Sequence, residues 1–334
     1  MNRILIVRLG SLGDIVHALP VAAALRLAFP QARIDWVVDA RHREILDLVP
    51  VIDRRLAVSV GGWLEAIREL RRGRYDVALD LQGLLKSAVL ARSSGAARVI
   101  GFPMGQLRER GARLFYTDTC DAAGPHVIQK NLALLAALGI EHEDVRFPIE
   151  APTSAIVAAV RERLGLSNGE RFALVNPGAA WPNKRWPPAL FGEVAAALQA
   201  RHRMKSIVLW GPGEERLARD VVSSSHGAAD VSPRTSIPEL VSLAKAAALM
   251  VSGDTGPLHI AAAVGTPLVG IYGPTNPQRN GPWAPNDVTL SRFSVCACQY
   301  RRRCQARSWC LLDISAREVI DAVDQRLAAQ PTHA

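Results

Sequence analysis

Short aliphatic runs alternate with amphipathic helical patterns along almost the whole chain, and this alternation limits the folds the sequence can adopt. The first run, residues 3–8 (RILIVR), is continuously apolar between its arginines, which is typical of a strand buried on both faces of a parallel sheet. Further strands are predicted at 34–38, 77–81, 98–101, 172–176, 206–210, 248–252 and 268–272, and helices at 43–48, 62–72, 84–92, 126–138, 189–200, 214–223, 237–247, 258–264 and 316–328. The sequence therefore predicts mostly parallel sheets covered by helices on both faces.

The alternation lapses once, within 141–153, where charged residues and two prolines predict a linker. The chain has 334 residues, of which 49% are apolar, enough to bury one core on each side of this linker. We therefore predict an α/β protein with two doubly wound halves of similar size. Ser315 and Glu318 form a capping-box pattern that marks the start of the final helix.

The first residues and the net charge of the chain indicate where the protein is located and which class of partner it binds. The first ten residues lack a signal-peptide layout, and the longest weakly polar stretch, 257–273, is short and interrupted, so we expect a soluble cytoplasmic protein. The formal net charge of +9 favours an anionic partner, either a phosphorylated small molecule or a lipid surface. Nucleic acid is disfavoured because only 5% of residues are aromatic and no nucleic-acid-binding motif is present.

The stretch 251–259 (VSGDTGPLH) predicts a strand that runs through a glycine-bearing turn into a helix. Such a helix N-terminus has unpaired N–H groups and partial positive charge, which suit a phosphate. Asp254 and Thr255 can cap the helix or reach a ligand hydroxyl, while Gly256 and His259 lie in its first turn. A simple strand–turn–helix corner capped by an aspartate explains the same residues.

A second glycine-bearing turn follows the first predicted strand and contains Ser11, Gly13 and Asp14. It places Asp14 at the carboxyl edge of the sheet, where open α/β folds bind ligands, although the dinucleotide fingerprint G-x-G-x-x-G is absent. Asp14 is either a general base for a hydroxyl nucleophile or a helix cap. Gln82 and Lys86 follow another strand and are expected at the same edge.

Two loops of the second half carry charged residues after predicted strands. In the loop 176–186 (NPGAAWPNKRW), Lys184 is either a phosphate-binding cation or part of a solvated loop. In 210–215 (WGPGEE), Glu214 or Glu215 either accepts from a ribose hydroxyl or lies favourably at a helix N-terminus.

Four of the five cysteines crowd into one segment: Cys296, Cys298, Cys304 and Cys310. Four thiolates can bind zinc, but the first pair is closer than in standard structural sites. A cytoplasmic location disfavours stable disulfides. We therefore predict no metal, with this cluster as the minor alternative of a zinc site.

Seven segments together carry a resemblance to a known family. They are LGSLGDIVHALP (9–20), DWVV (35–38), DLQGLLKSA (80–88), NKRWP (183–187), WGPGEE (210–215), SGDTGPLHIAAAVGTP (252–267) and YGPTNP (272–277). In this order they resemble the ADP-heptose:lipopolysaccharide heptosyltransferases, glycosyltransferase family 9. Within that family the match is to the type I enzymes, which add the first heptose to Kdo–lipid A.

The resemblance implies a GT-B fold in which two Rossmann-like domains face a cleft. Residues 1–150 would form the acceptor domain and 151–313 the donor domain, while a helix in 314–330 would cross back to the first domain. It also implies inverting, metal-independent heptose transfer without a cofactor. The partners would be ADP-heptose, a Kdo–lipid A or inner-core lipopolysaccharide acceptor, and the cytoplasmic face of the inner membrane, with no nucleic acid.

The resemblance assigns roles to individual residues. Asp14 would be the general base, and Lys184 would hold the diphosphate. Glu214 or Glu215 would bind the ribose. Asp254 would contact the heptose hydroxyls. Beside it, the diphosphate would lie against three residues: Thr255, Gly256 and His259. The acceptor-side candidates are Ser11, Gly13, Gln82 and Lys86.

Two departures from the type I pattern keep alternatives open. The basic insertion after the second strand is short here (59–72), and the cysteine-rich segment 296–310 is closer to type II relatives. A type II or type III acceptor, or another GT-B nucleotide-sugar enzyme such as an epimerase, therefore remains an alternative. A non-enzymatic alternative is a basic protein that binds nucleotides or nucleic acid.

Overall fold

The computed structural model describes residues 1–122, 124–141 and 144–329. The chain divides into two compact units, one comprising Met1–Glu150 and the other beginning at Ala151. The division falls inside the segment predicted as a linker. Among the described residues, no helix is both long and apolar enough to cross a membrane.

The first unit contains a six-stranded parallel sheet. Its strands are β1 (Arg3–Val7), β2 (Arg33–Asp39), β3 (Arg54–Val58), β4 (Val77–Asp80), β5 (Arg98–Gly101) and β6 (Asp118–Thr119). They lie in the order β3-β2-β1-β4-β5-β6, with every pair parallel. This order is that of the doubly wound dinucleotide-binding fold.

The helices of the first unit are α1 (Leu12–Val16), α2 (Leu19–Ala28), α3 (Arg43–Asp47), α4 (Trp63–Gly73), α5 (Leu85–Ser93) and α6 (Val127–Ala133). Pro20 occupies the first turn of α2, where its missing N–H has no helical partner to lose, so it starts a new helix after α1. The single helix expected over 126–138 is shorter: α6 is followed by a 3-10 turn at Leu134–Leu138 that ends at Gly139.

The second unit repeats the plan of the first. Its strands are β7 (Phe172–Asn176), β8 (Lys205–Val208), β9 (Ala229–Val231), β10 (Leu249–Gly253), β11 (Leu268–Tyr272) and β12 (Val288–Ser291). They lie in the order β9-β8-β7-β10-β11-β12, again all parallel. Counted from its own first strand, this sheet has the same order as the sheet of the first unit.

The helices of the second unit are α7 (Ala155–Arg163), α8 (Pro188–His202), α9 (Glu215–Ser223), α10 (Ile237–Ala246), α11 (Gly256–Ala263), α12 (Pro277–Asn280) and α13 (Ala316–Ala328). The last helix, α13, packs against α8, β11 and β12. The crossing of this helix to the first domain stays a prediction. Its apolar face, with Val319 and Val323, joins the core of the second unit. Arg326 also forms an ion pair with Asp287, which precedes β12, at 2.8 Å.

Each sheet has one topological switch point, where successive strands begin to add on the opposite side. In the first unit it lies between β1 and β4, and in the second between β7 and β10. In open α/β sheets, ligands bind at the carboxyl ends of the strands beside this point. The functional residues are therefore expected in the four loops that follow these strands.

Candidate active site

The first-unit loops hold Asp14 by both of its carboxylate oxygens. Arg8, which directly follows β1, approaches Asp14 Oδ1 with its Nη2 at 2.8 Å. The backbone N–H and the hydroxyl of Ser11 donate to Oδ2 at 3.1 and 2.9 Å. The Asp14 side chain remains 30% exposed. Asp14 is thus an oriented carboxylate at the edge of the sheet, and it also caps the first turn of α1.

Arg8 is itself buried, with only 7% of its surface exposed. Its Nη1 donates to the carbonyl of Leu81, at the end of β4. Its own carbonyl accepts from the indole of Trp36 at 3.1 Å. Arg8 therefore links the β1 and β4 loops and holds the Asp14 carboxylate in its orientation.

The other acceptor-side candidates are divided between buried and exposed positions. Gly13 is buried in α1, while Lys86 is exposed in the first turn of α5. Gln82 accepts from the backbone N–H of Leu9 at 2.8 Å, so it joins the β1 and β4 loops. Asp80 is fully buried and accepts from the backbone N–H of Gln82 at 2.9 Å. Burial raises the pKa of Asp80, although its hydrogen bonds oppose this shift.

In the second unit, the loops after β7 and β10 are joined by an ion pair. Lys184 ends a 3-10 turn at Pro182–Lys184 in the loop after β7. Its Nζ lies 2.6 Å from Asp254 Oδ2 and 4.7 Å from the centroid of the Trp181 ring. The Lys184 side chain is 16% exposed and that of Asp254 is 4% exposed. The lysine is therefore held beside the N-terminus of α11.

Asp254 is the centre of a buried hydrogen-bond network. Besides Lys184, its Oδ2 accepts from Thr275 Oγ1 at 2.6 Å. Its Oδ1 accepts from Asn280 Nδ2 at 2.8 Å and lies 3.1 Å from His259 Nε2. Protein groups thus engage both carboxylate oxygens of Asp254, and its contact with the heptose hydroxyls stays a prediction. Asp254 therefore holds together the loop residues that contact it.

The ionisation of Asp254 follows from the same neighbours. Burial by itself would raise the pKa of this carboxyl, but the hydrogen bond from His259 and the charge of Lys184 outweigh burial. The pKa of Asp254 is held well below its usual range. The carboxylate therefore stays charged and keeps Lys184 in place at neutral pH.

The N-terminus of α11 lies directly beside this network. Thr255 precedes the helix, and its hydroxyl accepts from Asn176 Nδ2, at the end of β7, at 2.9 Å. Gly256 and Pro257 form the first helical positions, and His259 is buried in the first turn. With Lys184 on one side, this helix end combines backbone N–H groups with a full positive charge, which is a suitable environment for a diphosphate.

The two neighbouring glutamates, Glu214 and Glu215, have different surroundings in the structure. Glu214 precedes α9, and its Oε2 accepts from the Gly211 N–H at 3.1 Å while its Oε1 lies 3.4 Å from Arg185 Nη2. A Cβ at Gly178 would lie only 2.1 Å from Glu214 Oε2, so a larger residue there would displace the Glu214 carboxylate. Glu215 lies on the exposed face of α9 and pairs with Arg219. Only Glu214 points toward the loop after β7.

The cysteine-rich segment packs against the lysine-bearing loop. Cys296 Sγ and Cys298 Sγ lie 3.6 Å apart, and Asn183 Nδ2 donates to the carbonyl of Arg301 at 2.9 Å. Burial raises the pKa of the Cys296 and Cys310 thiols, which favours their protonated forms. Within the described part of the chain, no group of three or more histidine, cysteine or acidic side chains is placed to hold a metal ion. The cysteines, Cys304 included, are free thiols.

Sequence reasoning missed the partners that fix the site. The sequence predicts Arg8 only as the end of a strand, and it predicts no role for Asn176, Thr275 or Asn280. Thr275 lies in the conspicuous segment YGPTNP, and Asn176 ends a buried strand, so both carried a positional signal. Arg8 is a charged residue directly after an aliphatic strand, and such a residue needs a partner when it is buried.

The two units, each built on a parallel sheet of the same strand order with polar loops at its switch point, have the architecture of the GT-B fold. Solved structures share this fold. A family 9 glycosyltransferase from Veillonella parvula superposes with a TM-score of 0.83 at 24% identity, covering 98% of this chain and 97% of that one. The Escherichia coli heptosyltransferase WaaC with ADP superposes with a TM-score of 0.75 at 23% identity, covering 98% of this chain and 100% of that one.

The chain belongs to glycosyltransferase family 9, the heptosyltransferases, whose model matches residues 63–310. Lipopolysaccharide heptosyltransferase 1 of Pseudomonas aeruginosa is 29% identical over 90% of this chain and 87% of its own length. The E. coli K12 protein of the same name is 28% identical over 86% and 92%, respectively. Lipopolysaccharide heptosyltransferase 3 of E. coli is 26% identical over 96% and 98%.

Proposed function

We propose that this enzyme transfers heptose from ADP-heptose to a Kdo-bearing, lipid-anchored acceptor of the lipopolysaccharide inner core, as a type I heptosyltransferase. Family membership supports the heptosyl transfer, and the heptosyltransferase 1 relatives support the acceptor. A solved relative holds ADP-2-deoxy-2-fluoro heptose, which supports the donor. The proposed location is the cytoplasmic face of the inner membrane.

The second unit supplies the groups that the donor needs. Lys184 and the N-terminus of α11 stabilise the diphosphate as negative charge develops on departing ADP. Thr255, Gly256 and His259 form the helix end that lies against the phosphates. Glu214 accepts from the adenosine ribose, since Glu215 faces away. Because fixed positive charge is already present, the transfer needs no divalent metal.

The first unit supplies the base. Asp14 takes the proton from the acceptor hydroxyl as its oxygen attacks the anomeric carbon, and the bond from that carbon to the diphosphate breaks. The new glycosidic bond forms on the opposite face of the sugar, so the configuration inverts. Ser11 and Arg8 hold the carboxylate in position. Gln82 and Lys86 lie at the same sheet edge and are the proposed acceptor contacts.

One observation carries the proposal. The switch point of the first unit presents an oriented carboxylate, while that of the second unit presents a lysine beside a helix N-terminus. These are the two groups that glycosyl transfer without a metal requires: a base for the acceptor and a cation for the leaving diphosphate.

Mass spectrometry of the acceptor tests the proposal. Incubation of the enzyme with ADP-heptose and Kdo-lipid A is expected to add one heptose to the acceptor. An acceptor that already carries one heptose provides a second arm, and a preference for it would indicate a type II or type III enzyme. Binding of UDP-sugars without binding of ADP-heptose would overturn the proposed donor.

Replacing Arg8 with methionine is expected to lower kcat by about tenfold or more while leaving the KM for the donor nearly unchanged, because Asp14 loses its orienting partner. Single-turnover rates and calorimetric titration with ADP measure the two quantities separately. Arg26→Met is the matched control, since Arg26 pairs with Asp53 elsewhere in the same unit. A loss of donor affinity as large as the loss in kcat would leave Arg8 with a structural role only.

Variants of Glu214 and Glu215 test the proposed ribose contact. Glu214→Gln is expected to weaken ADP binding by about tenfold, the usual size of a charged hydrogen bond. Glu215→Gln should leave binding within about twofold, because its side chain lies on the exposed face of α9. Calorimetric titration with ADP measures both. Equal losses in the two variants would contradict the proposed ribose contact.

A further inference from the structure

One surface of the first unit combines exposed apolar and basic side chains without a role in the proposed chemistry. We define the platform as the segment 104–114 together with Leu85, at the start of α5. Leu85, Met104 and Leu114 are 44%, 51% and 84% exposed, respectively. Arg108 and Arg110 are exposed between them in the sequence.

The platform is firmly attached to the unit. Leu107 and Ala112 are buried beneath it, and the following Tyr116 donates to buried Asp80 at 2.7 Å. Glu109 accepts from the backbone N–H of Leu85 at 2.7 Å, which ties the segment to α5. The exposed leucines therefore stand on a packed base and do not belong to a loose loop.

The platform also lies next to the acceptor-side residues. A Cβ at Gly83 would lie 2.9 Å from Leu107 Cδ2, so the segment packs directly on the turn that carries Gln82. The segment follows β5, and therefore lies at the same carboxyl edge as Asp14. Any partner that covers the platform comes close to the proposed acceptor site.

We infer that the platform docks on an anionic lipid bilayer and so brings the enzyme to its membrane-held acceptor. This inference rests on the proposed function, because that function supplies the membrane-held acceptor. Exposed apolar side chains mark an interaction site, and arginines among them match the negative charge of a bilayer surface. Apolar insertion and charge attraction together provide the two signals that stable but reversible membrane binding requires.

A second exposed region of the first unit differs from the platform in its charge. On α4, Leu64 is 72% exposed and the exposed Arg68 lies one helical turn further on the same face. Two glutamates, Glu65 and Glu69, lie among the three arginines of α4, whereas the platform has one, Glu109, among its three arginines. The positive charge beside the exposed apolar side chains is therefore weaker on α4. This region provides a control with the same types of substitution.

Co-sedimentation of the full-length enzyme with phosphatidylcholine vesicles, with and without phosphatidylglycerol, tests the inference. The wild type is expected to bind the anionic vesicles more strongly, and added salt should weaken that binding. The variant Arg108→Gln/Arg110→Gln/Leu114→Ser should lose at least about tenfold in partitioning. The control Leu64→Ser/Arg71→Gln/Arg72→Gln should stay within about twofold of the wild type. The inference would be overturned if both variants lost partitioning equally, or if the wild type bound anionic and neutral vesicles equally.

A transfer assay with a deacylated, water-soluble acceptor separates the two proposals. The platform variant is expected to retain wild-type kcat on this acceptor and to lose activity only when the acceptor is embedded in vesicles. Absence of transfer by the wild type on either acceptor would count against the proposed function, while the vesicle-binding result would stand on its own. Loss of kcat on the soluble acceptor in the platform variant would assign the platform to the acceptor site and overturn membrane docking.

Discussion

Asp14→Ala is expected to reduce the transfer rate by about a hundred- to ten-thousandfold, the usual contribution of a general base. Donor affinity should remain within about twofold of the wild-type value, because the base acts on the acceptor hydroxyl in the transition state. Single-turnover assays and calorimetric titration with ADP measure the two quantities separately.

Asp14→Asn is the control for structural damage. The amide retains an oxygen that can accept from Arg8 or Ser11, but it cannot take a proton. Both variants should therefore lose about a hundred- to ten-thousandfold in transfer rate, while Asp14→Asn should preserve more of the thermal stability than Asp14→Ala. If donor binding disappears in both variants, Asp14 organises the structure and another group is the base.

Asp254→Ala is expected to have the largest effect on stability, a loss of about 3 kcal/mol, because it removes one partner of a buried ion pair. Lys184 would keep its charge in a site that is 16% exposed, with no carboxylate beside it. Thr275 and Asn280 would lose their acceptor as well. Donor affinity should fall with stability, since Lys184 is no longer held beside α11. Thermal unfolding and ADP titration give the two values.

The sign of the pH dependence provides the control for this prediction. The folded-state pKa of Asp254 lies below its usual value, so the carboxylate adds stability above the ordinary aspartate pKa of about 3.9. This contribution is lost as pH falls from that value through the folded-state pKa. The stability difference between wild type and Asp254→Ala should therefore be constant from about pH 5 to pH 8 and shrink in stronger acid. A difference that changes between pH 5 and pH 8 would contradict this account of Asp254.

The central part of the fold could be predicted from the sequence, and the edges of the sheets could not. The strands β1, β2, β4 and β5 of the first unit, and their counterparts in the second, are aliphatic because both faces are covered. The four edge strands, β3, β6, β9 and β12, were all missed. β3 begins with two arginines and β6 consists of Asp118–Thr119, since an edge strand needs little burial.

The candidate site divides in a similar way. Asp14, Lys184 and the α11 terminus could be predicted as candidates from glycines and charged residues at strand ends, because these signals are local. The contacts that these residues make could not be predicted from the sequence. Lys184 and Asp254 are 70 residues apart in the chain, and only the fold brings them within 2.6 Å. The same holds for Arg8, whose contact with the Leu81 carbonyl spans 73 residues.

The division of the chain into two units has a consequence for how enzymes of this kind diversify. All proposed acceptor groups lie within Met1–Glu150 and all proposed donor groups in the unit that begins at Ala151, so one crossover at this boundary exchanges one set and leaves the other intact. A gene could thus acquire a new sugar acceptor by recombination at a single point. The donor chemistry, already complete within its own half, would be inherited unchanged.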